Sequence, residues 1–221
     1  MKKITTKDGS HTLYNPQIKE HYHSMHGAYT ESKHVFVHSG LAYYVEQNKT
    51  KKVKILEVGF GTGLNLLTTM EYIAHKNLSV DYTGIEAYPL SLSDLKELDH
   101  GEYVQKPLWS AFLSSYESAL QAETTIHHVS FQICPVKLLD FTHQHLFDVV
   151  YFDAFSEIHQ PEMWTEEVLS KITHFMKRGS VFVTYAITGN LKRRLKKLGF
   201  EIQKLPGAPG KREMLRAVKE K

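Results

Sequence analysis

The stretch VKILEVGFGTG, residues 53–63, constrains this chain more than any other. An aliphatic, β-branched run stops at Gly59, Gly61 and Gly63, and LNLLTTMEYIAHK then returns apolar residues at helical spacing. That order predicts a buried strand, a tight turn and a helix. Such a turn gathers backbone N–H groups and a helix N-terminus, which suits a nucleotide-type ligand. Leu64 stands where a dinucleotide fingerprint of the form G-x-G-x-x-G has its last glycine, so the alternate glycines leave the identity of that ligand open.

The remaining segments repeat the alternation. Val80 to Ala87 reads as a second strand, followed by a helix over SLSDLKELD whose serines can cap it. Residues 107–121 read as helix, His128 to Cys134 as strand, Phe147 to Asp153 as a buried central strand and Pro161 to Met176 as helix. Ser180 to Ala186 is the next strand, and Asn190 to Leu198 a basic helix stopped by Gly199. Glu201 to Leu205 and Arg212 to Val218 flank PGAPG and form a closing hairpin. The expected fold is therefore α/β, with a mostly parallel sheet and an antiparallel C-terminal hairpin. Residues 1–50 are an N-terminal extension covering the ligand edge, and 51–221 the main unit. Within the extension, Glu31 to Gln47 is expected to be helical, with Val35, Phe36, Leu41 and Tyr44 partly inward and Gly40 interrupting it.

Two carboxylates complete the crevice. Glu86 ends the second strand, where it can accept hydrogen bonds from both hydroxyls of a ribose, although a surface glutamate is the plainer alternative. Asp153 ends FDVVYFD beside the first strand, where it can orient a substrate amine and accept its proton, or merely cap a helix. Trp164 either walls the pocket or belongs to the core. Clustered cations, including Lys192, Arg193, Arg194, Lys196, Lys197, Lys211 and Arg212, are read either as a solvated face or as contacts to a phosphate backbone. His21, His23 and His26 lack nearby acidic or cysteine ligands, so no metal site is expected.

A chain of 221 residues fits one domain, and its 42% hydrophobic content argues against long disorder. Cys134 is the single cysteine, which excludes an internal disulfide and points to a reducing compartment. With no apolar leader and no membrane-length run, a cytoplasmic location is expected.

Longer motifs carry a more specific resemblance. The alternate glycines preceded by Glu57 resemble motif I of class I methyltransferases. EHYHSMHGAYTESKHVF (20–36), ILEVGFGTGLNLLT (55–68), DVVYFDAFS (148–156), PEMWTEE (161–167), VTYAITGNLKRRLKKLGFE (183–201) and LPGAPGKREMLRA (205–217) together resemble the MnmC-type family. These are the methyltransferase domains of tRNA 5-methylaminomethyl-2-thiouridine biosynthesis, and a stand-alone form is expected here. The resemblance implies a Rossmann-like class I fold with a seven-stranded sheet. It implies methyl transfer from S-adenosyl-L-methionine to 5-aminomethyl(-2-thio)uridine at the tRNA wobble position. Its implied sites are Glu57, Gly59, Gly61, Gly63, Asn65, Glu86 and Glu31 for the cofactor and Asp153 for catalysis, with Trp164, Arg193, Arg194, Lys211 and Arg212 for the substrate. The bifunctional relatives carry an oxidase domain that unmasks the amine, so a separate protein is expected to supply it here. QICPVK (132–137) departs from the family in lacking the acidic residue expected near adenine.

Overall fold

The computed structural model describes residues 1–220. Its main sheet has eight strands in the order β10-β11-β9-β8-β4-β5-β7-β6. The central ones are β4 (Lys52–Val58), β5 (Ser79–Ile85), β7 (Val129–Cys134), β8 (Phe147–Phe152) and β9 (Met176–Thr184). These pair in parallel. The expected hairpin is present as β10 (Phe200–Pro206) and β11 (Glu213–Lys219), with β11 antiparallel to β9. One strand more than expected, β6 (Thr124–Ile126), adds an antiparallel edge beside β7. It is too short to show a periodic pattern in the sequence.

Both faces of the sheet are covered, which is why β8 is buried along its whole length. Alternation along β4 sends Ile55 to one core and Leu56 and Val58 to the other. The first core packs against α2 (Leu64–Ile73), α3 (Leu92–Leu98) and α4 (Lys106–Ala119). The second packs against α5 (Glu166–His174) and α6 (Gly189–Lys197). The Pro161–Trp164 part of the helix expected to begin at Pro161 is a separate 3-10 turn, because Thr165 is extended and its hydroxyl caps α5 by accepting from Val168 N.

The N-terminal extension is more ordered than its sequence shows. Strands β1 (Lys2–Thr5), β2 (His11–Asn15) and β3 (Glu20–His21) form a small antiparallel sheet. A continuous helix, α1, then spans 28–48, and its middle section Ser32–Ala42 is π-helical. Val35, Phe36 and Leu41 are fully buried on the sheet, as expected of an inward face. Gly40 does not interrupt this helix. A Cβ there would lie 2.9 Å from Val183 Cγ2 and 3.2 Å from Tyr151 Cε1, so glycine lets the helix seat directly on β8 and β9. Among the described residues no helix is long and apolar enough to cross a membrane.

Candidate active site at the carboxyl ends of the central strands

The chain leaves β4 toward β5 on one side and is joined by β8 on the other, and a cavity of about 870 Å³ opens where these directions diverge. The glycine turn forms its floor. Gly59, Gly61 and Gly63 have φ of 86°, 52° and 77°, a region in which side chains are strained. At Gly59 a Cβ would also sit 2.5 Å from the Asp153 carbonyl oxygen, so glycine permits the ends of β4 and β8 to meet.

The turn is not a bare N–H cradle. Gly59 and Phe60 both donate to the Ile85 carbonyl, at 3.0 and 3.1 Å. Gly61 N donates to Glu86 Oε2 at 3.0 Å, and Tyr88 N to Glu86 Oε1 at the same distance. A carboxylate therefore occupies the place where a phosphate-binding loop would hold its anion. Glu86 disfavours a phosphate there and keeps lone pairs free for the hydroxyls of a neutral sugar.

Asp153 faces the cavity from the end of β8. Burial raises its pKa to about 7, helped by nearby Glu31 and Glu20 and opposed by a hydrogen bond from Asn65 and the charge of Lys211. Asn65 Nδ2 donates to Asp153 Oδ2 at 2.8 Å and to Glu57 Oε1 at 2.7 Å, while its own Oδ1 accepts from Ser32 Oγ at 2.6 Å. Glu57 is fully buried and also accepts from Tyr82 OH at 2.7 Å. Burial pushes its pKa well up, against the effect of those two donors. It braces Asn65 beneath the cavity and does not line it.

The extension roofs this floor. Tyr22 packs on Gly61 and edge-on against Phe155, with ring centroids 5.1 Å apart. His23 Nε2 lies 2.7 Å from Thr62 Oγ1 in the glycine turn, and burial lowers its pKa to about 4. Glu20 Oε2 accepts from both the backbone and the hydroxyl of Ser156, each at 2.9 Å, tying β3 to the DAFS loop. Glu31 pairs with Lys211 at 2.8 Å and accepts from Ser24 N at 3.0 Å.

The substrate-side candidates divide. Lys211 turns into the cavity, its Nζ lying 3.7 Å from the centroid of the Tyr185 ring. Arg193 and Arg212 are exposed. Arg194 is spent within the fold, bonding Glu157 and the Trp164 carbonyl. Trp164 belongs to the core beneath the wall: it is buried against Phe152, and its indole N–H donates to the Phe155 carbonyl at 2.7 Å. Met163, Gln160 and Glu162 face the cavity instead. Glu20, Tyr185 and Asp140 are cavity residues given no role by the sequence reading. Tyr185 had a legible signal, since it follows an apolar strand directly. Asp140 comes just after QICPVK and supplies that wall with a carboxylate.

Taken from the hairpin, the seven main strands run 6-7-5-4-1-2-3 in their own chain order, with the ligand crevice at the central switch. This defines the Rossmann-like fold of the class I methyltransferases. The chain belongs to the S-adenosyl-L-methionine-dependent methyltransferase family, whose profile matches residues 100–220. It is 28% identical over 219 residues to the tRNA 5-methylaminomethyl-2-thiouridine biosynthesis bifunctional protein MnmC of Acidovorax sp., an alignment covering 94% of this chain and 34% of that protein. The corresponding Leptospira interrogans protein is 31% identical over 216 residues, covering 92% and 33%. The chain thus spans about a third of the length of these curated relatives. Among solved structures, MNMC2 from Aquifex aeolicus superposes with a TM-score of 0.78 at 25% identity, covering 98% of this chain and 69% of that one.

The cofactor of this family is S-adenosyl-L-methionine, and the cavity fits it. Glu86 can meet a ribose, Val136 and Leu138 give an apolar wall for a flat base, and Glu31 and Asp153 are carboxylates suited to a cationic ligand.

Proposed function

We propose that this chain is an N-methyltransferase that converts 5-aminomethyl(-2-thio)uridine at the tRNA wobble position to its 5-methylaminomethyl form. The observation that carries the reading is Asp153, a carboxylate with a pKa near neutrality, held by Asn65 at the cavity wall. The printed names of the curated relatives support the choice of tRNA base. Bound S-adenosyl-L-methionine supplies an electrophilic methyl group on its sulfonium.

The protein's own task is to deliver a neutral amine. A primary alkylamine resembles lysine, with a pKa of ~10 in water, and arrives mostly protonated. Asp153 orients it through one carboxylate oxygen while Asn65 holds the other. The ammonium proton passes to Asp153 as the nitrogen lone pair turns toward the methyl group, and a carboxyl pKa near 7 eases that transfer. The roof of Tyr22 and Glu20 excludes water and fixes the approach, so proximity provides most of the acceleration.

The tRNA backbone runs over α6 and the β10–β11 turn, where Lys192, Arg193, Lys196 and Arg212 contact phosphates. A separate protein supplies the aminomethyl precursor, in the cytoplasm. Incubation with labelled cofactor and tRNA bearing the aminomethyl base is expected to add one methyl group to that nucleoside by mass analysis. Methylation of unmodified tRNA or of free amines in its place would overturn the substrate assignment.

A further inference from the structure

The charge of the cavity is lopsided. Among the described residues, Glu20, Glu31, Glu86, Asp140, Asp153 and Glu162 face it, against two lysines, Lys137 and Lys211, and no arginine. Such a site favours cations, and more strongly the greater their charge. S-adenosyl-L-methionine carries a sulfonium, an ammonium and a carboxylate, for a net charge of +1. Its decarboxylated analogue carries +2, so electrostatics alone would draw the analogue in preferentially.

The placement of the two lysines bears on this. With the ribose at Glu86 and the flat base against Val136 and Leu138, Lys137 belongs to the base end. The rest of the molecule then runs the other way, over the glycine turn toward Asp153. Lys211 is the one Lys or Arg lining that end among the described residues. It is held in place: Nζ is 2.8 Å from Glu31 Oε1 and 3.7 Å from the centroid of the Tyr185 ring, whose hydroxyl donates to the Ala154 carbonyl at 2.9 Å. Glu31 is itself fixed by Ser24 N at 3.0 Å. A buried carboxylate beside a partly exposed ammonium is the mirror image of an α-amino acid's ammonium and carboxylate.

We propose that Glu31 and Lys211 together form a zwitterion receptor for the amino-acid end of the cofactor. Glu31 takes the α-ammonium and Lys211 the α-carboxylate, so that Lys211 makes the site select the carboxylated molecule over its decarboxylated analogue. This rests on the cofactor assignment, not on the tRNA substrate. Methyl transfer and aminopropyl transfer differ in which of these two molecules is the donor, and Lys211 is the residue that separates them here.

Calorimetric titration of the full chain with S-adenosylmethionine, S-adenosylhomocysteine and decarboxylated S-adenosylmethionine tests the proposal without tRNA. The unmodified protein is expected to bind the carboxylated donor roughly 10–100-fold more tightly than the decarboxylated one, the range of a charge-assisted hydrogen bond. Lys211→Met should bring the two within about threefold or invert them, and weaken S-adenosylhomocysteine in parallel. Lys211→Arg, which keeps the charge, should retain the preference and carries the test if the Met variant melts at assay temperature. Absence of preference in the unmodified protein, or equal loss of both donors in Lys211→Met, would overturn the receptor while leaving the tRNA reading intact. A Lys211-dependent preference in a protein that fails to methylate aminomethyl tRNA would do the reverse.

Discussion

At the level of single residues, the site turns on one amide serving two carboxylates. Asn65 Nδ2 donates to both Glu57 and Asp153, yet only Asp153 reaches the cavity. Replacing Asp153 with Asn keeps the shape and removes the proton acceptor. Turnover is expected to fall by about 10²–10⁴, with cofactor affinity changed only a few-fold. The same variant separates stability from activity. Because the folded-state pKa of Asp153 is raised from 3.8 to about 7, the native state holds the proton more tightly than the unfolded chain. Its contribution to stability is fully present below pH 4 and lost as pH rises through 7. Asp153→Asn should therefore gain stability relative to the parent by roughly 1–3 kcal/mol at pH 8, and by little at pH 4. Urea titrations at the two pH values measure this, and a gain independent of pH would rule it out. In the sequence, position at the strand ends marked Glu86 and Asp153, and the family resemblance added Glu57 and Asn65. Neither said which carboxylate faces ligand, because that depends on strand alternation at Glu57 and on Asn65 reaching across from α2. Glu20 stayed silent because its role comes from packing between segments far apart in the chain.

At the level of elements, legibility followed regularity. β4, β5, β7 and β8 are aliphatic runs with clear turns between them, and each falls within about two residues of where the pattern placed it, whereas β9 begins at Met176, four residues before the expected Ser180. The small sheet β1–β3 has a two-residue third strand and no apolar period to announce it. The π-helical middle of α1 was hidden for another reason. Its wider turn shifts which side chains face the sheet, and a helical reading built on the ordinary period treats Gly40 as a break. Seated on Val183 and Tyr151, Gly40 is instead a contact point. Gly40→Ala should destabilise the fold by about 1–2 kcal/mol, the overpacking outweighing alanine's better helix propensity of roughly 1 kcal/mol. Gly40→Val should cost more. Thermal melts are expected to drop by roughly 2–4 °C per kcal/mol in a chain of this size. A rise in melting temperature for both variants would show that α1 has room to shift.

For the whole molecule, the decisive property is where the charge lies. The formal net charge is only +3, but the cavity is acidic while α6 presents Lys192, Arg193, Lys196 and Lys197 beyond its rim. Separation of this kind lets one molecule attract a polyanion to its surface and a cation to its interior. Lys197 is already engaged by Glu166 at 3.4 Å and Arg194 by Glu157 at 3.1 Å, so these two have less to offer a phosphate. Lys192, Arg193 and Lys196 are the better contacts on α6. If tRNA lies there, its affinity must fall with salt, and each phosphate contact removed should reduce the slope of log K against log salt by about 0.7–0.9. Changing Lys192, Arg193 and Lys196 together to Ala is expected to lower that slope by roughly 2–3 and weaken all tRNAs alike. S-adenosylmethionine affinity should stay the same, because none of the three lines the cavity. An unchanged slope would move the RNA path off α6 and leave Arg212 and the β10–β11 turn to carry it. The Arg194→Ala variant supplies the contrast: it should destabilise the Pro161–Trp164 turn while barely altering the salt dependence, since its guanidinium is bonded to Glu157 and to the Trp164 carbonyl.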